Sequence, residues 1–108
     1  MKFKLSNNVA FETKDRKGAE EFYEKVMGMT VTKRETGYTE FANDNIKFYV
    51  VDQDKCPGLM LDFVVDDQEA AIAYLKQKGC QVLEWKGTGQ DCFMRDPYGL
   101  VFNLGPKN

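Results

Sequence analysis

The chain contains no histidine. That absence excludes Ser-His-Asp and Cys-His nucleophile pairs, and with them the imidazole-bearing zinc and non-haem iron sites. Cysteine is scarce: Cys56, Cys80 and Cys92 are odd in number, form no Cys-x-x-Cys, and read as free thiols of a reducing cytoplasm. Apolar runs are short and Met1-Lys2-Phe3-Lys4 opens a polar segment, so neither a membrane span nor a secretory leader is expected. Positive charge is not in excess, with 15 basic residues against 17 acidic ones and net −1 in each half when the chain is divided at residue 54. Nucleic acid is therefore not an expected partner. What is present is the balance of one domain over residues 1–108, 43% hydrophobic and 30% charged.

Periodicity organises that domain into two similar halves. Val9, Phe11 and Thr13 alternate with Asn8, Ala10 and Glu12 as in a half-buried strand. Asp15 then offers a helix cap, and Ala19, Phe22, Tyr23, Val26 and Met27 recur at helical spacing until Gly28. Three strand-like runs follow at Met29 to Lys33, Tyr38 to Ala42 and Ile46 to Val51, separated by turn-forming Glu35-Thr36-Gly37 and Asn43-Asp44-Asn45. After the polar linker from Asp52 to Gly58 the order repeats. A strand runs from Leu59 to Val65, Asp66 and Asp67 offer a cap, and a stripe of Ala70, Ala71, Tyr74 and Leu75 ends at Gly79. Strands at Gln81 to Trp85, Cys92 to Arg95 and Leu100 to Leu104 complete it, the last two joined by Asp96-Pro97-Tyr98-Gly99.

The halves superpose residue on residue: Phe11 on Phe63, Asp15 on Asp67, Ala19 on Ala71, Gly28 on Gly79, Val31 on Val82 and Phe48 on Phe102. The expectation is a duplicated βαβββ module, 1–54 and 58–108, each of about fifty residues and too small to cover its sheet alone. Alternation assigns Val9, Phe11, Leu61, Phe63, Leu100, Phe102 and Leu104 to the helix-bearing face. Asn8, Ala10, Glu12, Met60, Asp62, Val101 and Asn103 take the other face.

Four segments carry a family resemblance: residues 9–15, 22–29, 62–67 and 94–102, the last reading Met-Arg-Asp-Pro-Tyr-Gly-Leu-Val-Phe. In that order and spacing the chain resembles the vicinal-oxygen-chelate superfamily of glyoxalase I, extradiol dioxygenases and bleomycin-resistance proteins. The resemblance implies an α+β fold in which two βαβββ modules form an incomplete eight-stranded barrel, helices outside and a ligand cavity within. It also implies a homodimer. Metal-dependent members bind a divalent ion through His, Gln or Glu at positions that fall here on Asn8, Tyr49, Met60 and Asn103. A neutral amide, a phenol ionising near pH 10 and a thioether are poor donors for a hard cation, so no metal and no cofactor are expected. Metal-dependent lyase or dioxygenase activity then lacks its Lewis acid. The resemblance is nearest to the metal-free, bleomycin-resistance-like branch, whose members sequester a cationic drug.

Other candidate ligand-binding residues come from the same strands. Glu12 and Asp62 occupy equivalent strands and one predicted face, suited to attracting a cation or to acid-base chemistry, and equally to forming a solvated wall. Tyr38, Tyr49, Phe93 and Trp85 offer rings for stacking, or else pack at a strand or dimer contact. Trp85, beside the polar hairpin tip Lys86-Gly87-Thr88-Gly89-Gln90, is the favoured binding edge; Gly87-Thr88-Gly89 lacks the following helix of a phosphate loop. The expected function is metal-independent small-molecule binding in the cytoplasm. The alternatives are a glyoxalase-like lyase or isomerase with a non-standard or absent metal site, and a protein-interaction module.

Overall fold

The computed structural model describes residues 2–52 and 58–107; Cys56 and most of the expected linker, 53–57, lie outside them. The fold is mixed α+β, with eight strands and few helices among the described residues. The first half comprises β1 (Lys4–Thr13), α1 (Arg16–Glu21), β2 (Val31–Glu35), β3 (Tyr38–Asn43) and β4 (Ile46–Asp52). The second comprises β5 (Gly58–Val65), α2 (Gln68–Gln77), β6 (Gln81–Trp85), β7 (Cys92–Arg95) and β8 (Val101–Pro106). Strands run β2-β3-β4-β1 in the first and β5-β8-β7-β6 in the second, which is one order read from opposite ends. Two units result, Asn7–Met60, and Leu61–Asn108 together with Met1–Ser6.

Both helices begin as their caps dictate. The Asp15 carboxylate accepts the Gly18 amide at 2.9 Å and that of Asp67 accepts the Ala70 amide at 3.0 Å. The first helix departs from the expected single α-helix, because Phe22–Val26 winds as a π-helical turn in which the Met27 amide reaches back five residues to Phe22 at 3.1 Å. Within this unit Val9 lies opposite Phe48, and Phe48 opposite Phe41. The Tyr23 ring meets the rings of Phe48 and Phe41 edge-on at 5.2 and 6.1 Å, so that face carries the helix. Fully buried Thr39 is satisfied there, donating to Glu20 and accepting from Arg16 at 3.2 Å. The Thr39 hydroxyl, aided by Arg34 and Arg16 against desolvation, holds the Glu20 carboxyl below its usual range.

In the second unit α2 lays Ala71 and Ile72 onto Val65, Cys92, Met94, Phe102 and Leu104, with Leu61, Phe63, Leu75, Val82 and Trp85 around them. The helix-side assignments of Leu61, Phe63, Phe102 and Leu104 hold, whereas Leu100 precedes β8 and is exposed. Gly79 ends α2 at φ 101°, and a Cβ there would press on Pro97 Cγ at 3.0 Å. Burial pushes the Cys92 thiol up to about 11. The folded chain therefore holds this proton where the unfolded chain, at the ordinary 9.0, has released it. The associated stability is intact below pH 9 and is lost as pH climbs toward 11. Urea midpoints across that interval should show a shallower alkaline loss in Cys92→Ala than in the native protein.

Candidate functional site

The face of the second unit opposite α2 is set by strand register. Asp62 lies beside Asn103, Asn103 beside Phe93, and Phe93 beside Glu84, one row crossing β5, β8, β7 and β6. Its polar members are wired together. Asn103 Nδ2 donates to Asp62 Oδ1 at 2.8 Å and to Asp91 Oδ1 at 3.1 Å, the Ser6 hydroxyl donates to Asp62 Oδ2 at 2.6 Å, and Asn103 Oδ1 accepts the Cys92 amide at 3.0 Å. Only one orientation of the Asn103 amide satisfies these partners, since its NH2 faces two carboxylates and its oxygen faces an N–H. The result is two carboxylates bridged by a neutral donor, with Phe93 opposite Asn103 in the ladder. Glu84 adds a third acid to the row, within 3.9 Å of Lys86.

The first unit carries a corresponding row on the face opposite its helix. Ala10 lies beside Tyr49 and Tyr49 beside Glu40; the next row runs from Glu12 through Val51 to Tyr38. Tyr38 and Tyr49 meet edge-on at 5.8 Å. Glu40 is held below the usual carboxyl range, first by the Tyr49 hydroxyl and then by that of Thr32, whose Oγ1 lies 3.0 Å from it. Glu12 is buried, 7% exposed, and Asn8 lies opposite Lys47.

Of the residues singled out from sequence, the structure gathers Asp62, Phe93 and Asn103 into one row, and sets Tyr38 and Tyr49 against each other with Glu12 in the row of Tyr38. Met60 is buried at 4% exposure. Trp85 goes to the other face. A bulge between Val82 and Glu84 shifts the alternation by one, so that Glu84 joins the polar row while Trp85 pairs with Cys92 on the core side. Its buried Nε1 finds no hydrogen-bond acceptor among the described residues. Ser6, Glu40, Glu84 and Asp91 were not singled out. Ser6 has the parity of Asn8 and Glu12 and would have been found had β1 been started at Lys4, whereas Asp91 lies in a hairpin loop where alternation says nothing.

Three of the four positions at which the resemblance places a metal offer poor donors for a hard cation. The Asn103 carbonyl is committed to a backbone N–H and its NH2 points at carboxylates, the Tyr49 hydroxyl is engaged with Glu40, and Met60 supplies a thioether. Among the described residues no three His, Cys, Asp or Glu side chains form a metal-binding group.

Comparison with known proteins shows that a glyoxalase-like domain family model matches residues 8–105. No curated protein matches. Among solved structures, a glyoxalase/bleomycin resistance protein/dioxygenase superfamily member from Vibrio splendidus aligns with TM-score 0.65 and 14% identity, covering 98% of this chain and 100% of that one. A methylmalonyl-CoA epimerase from Streptomyces coelicolor, solved with 2-nitronate-propionyl-CoA, gives 0.63 and 17%, covering 98% and 99%. A hypothetical protein from Bacillus halodurans gives 0.66 and 13%, covering 100% and 96%. At these identities the structural likeness shows the fold alone.

Proposed function

Because the chain belongs to the glyoxalase-like domain family, within the vicinal-oxygen-chelate superfamily, we propose that it binds a small cationic molecule without a metal, at the row formed by Asp62, Asn103 and Phe93. The observation that carries this reading is the Asn103 amide bridging Asp62 and Asp91. Two carboxylates meet there with one neutral donor between them, and each retains acceptor capacity for an ammonium or guanidinium group. Phe93, opposite Asn103 in the ladder, offers a ring worth about 0.5–2 kcal/mol to a cation stacked on it. The reading takes the protein as a cytoplasmic homodimer, on the family resemblance and on free thiols at Cys80 and Cys92. No helix among the described residues is long and apolar enough to cross a membrane.

Benzylamine and benzyl alcohol differ mainly in charge and serve as probes. Calorimetric titration should detect benzylamine and not the alcohol, with affinity about tenfold lower in Asp91→Asn, a loss of about 1.4 kcal/mol. Equal binding of both probes, or an unchanged variant, overturns the reading. A second reading, a lyase or isomerase using Glu12 as base, draws on the burial of that carboxylate. Turnover of methylglyoxal hemithioacetal that disappears in Glu12→Gln would establish it.

A further inference from the structure

The β7–β8 ladder ends at the pair Phe93 and Asn103, yet the hairpin loop beyond it, residues 86–91, must deliver Asp91 to within 3.1 Å of the Asn103 amide. Two glycines in that loop, Gly87 and Gly89, adopt φ of 126° and 84°, a backbone that costs them little and that they do not enforce. The Gln90 amide closes the turn on the Gly87 carbonyl at 3.0 Å, but that bond does not tie the loop to its surroundings. The first residue of α2 does. Gln68, 3% exposed, accepts the Gly89 amide on Oε1 at 2.8 Å and donates through Nε2 to the carbonyls of Gln90 at 2.6 Å and Leu104 at 2.9 Å. Both amide protons and the amide oxygen are used, so the side chain is satisfied in one orientation only.

We propose that Gln68 is the positioning residue of the binding row. From the α2 side it clamps Gly89 and Gln90 to β8, while Asn103, the neighbour of Leu104 on that strand, holds Asp91 and the Cys92 amide. Consecutive β8 residues thus grip the loop through two different amides, one by the Leu104 carbonyl and one by the Asn103 side chain. The second carboxylate of the site stays in place because the loop cannot swing away while Gln68 is bonded. Thr88, donating to Glu69, adds a further tie between loop and helix. This inference rests on the row being the binding site and identifies what sets its second wall.

The test uses Gln68→Met, which keeps the side-chain length and removes all three hydrogen bonds, and Gln68→Glu, which retains the acceptor for Gly89 and is read in the same way should the first variant not fold. The readout is the pair of Asn103 side-chain NH2 resonances in a nitrogen–proton spectrum. They should move toward their positions in Asp91→Ala, and benzylamine affinity should fall about tenfold, as for loss of one charge-assisted contact. Ile72→Val, a core change on α2 outside the Gln68 hydrogen bonds, should lower the melting temperature and leave both readouts where they are. Unmoved Asn103 resonances in the Gln68 variants overturn the clamp. Resonances that move in a protein whose native form ignores benzylamine leave the clamp standing and sink the functional reading, while native binding with unmoved resonances does the reverse.

Discussion

Asn103→Asp is expected to destabilise the protein by about 2–4 kcal/mol at neutral pH, because two hydrogen bonds to carboxylates are lost and a third carboxylate takes the donor's place. The native amide answers Asp62 and Asp91 at 2.8 and 3.1 Å; an aspartate there repels both. Three crowded carboxylates cannot all stay ionised, so the folded variant binds protons more tightly than its unfolded chain. Its stability therefore returns as pH falls toward the ordinary carboxyl range and is lost as pH rises. Urea denaturation at pH 7 and near pH 4.5 checks the sign. The same variant should gain stability from millimolar calcium or magnesium, since an oxygen-only cluster suits a hard cation, and the native protein should not. If the ion stabilises both equally, Asn103 is not what keeps a hard metal ion out.

Met94→Ala is expected to cost about 2–5 kcal/mol, the usual range for emptying a packed site that cannot collapse. Met94 is fully buried, pairs with Val82 on one side and Phe102 on the other, and lies in the cluster that includes Ala71 and Ile72 of α2. Those neighbours belong to strands fixed by ladders, so only the helix can move to fill the void. Thermal and urea unfolding should both register the loss. A drop below about 1 kcal/mol would mean that α2 settles into the space and that the second core is softer than its burial suggests.

The two expectations touch opposite faces of the same strands, and they differ in how far the sequence foretold them. The core side was legible. Phe63, Phe102 and Leu104 alternate with Asp62 and Asn103, and a period of two on a strand leaves an apolar residue nowhere to go but toward the amphipathic helix. The duplicated caps, Asp15 and Asp67, were readable for a similar reason, since a carboxylate meets the first free amides whatever the rest of the chain does.

What sequence could not supply was anything depending on a side chain's choice among distant partners. The bulge between Val82 and Glu84 has no residue signature here, and it alone decides that Glu84 faces the polar row while Trp85 joins the core. The π turn at Phe22–Val26 likewise leaves the apolar spacing of a helix unchanged. The amino-acid order determined the α+β modules, their repetition and the poor donor set at the positions where the resemblance places a metal, because local propensity, period and side-chain chemistry suffice for those. Only the tertiary structure decided that Asn103 would turn its NH2 to Asp62 and Asp91 and that Gln68 would hold the loop between them. Those hydrogen bonds span 12 to 41 residues of chain and exist only once the ladders have brought their partners within 3.1 Å.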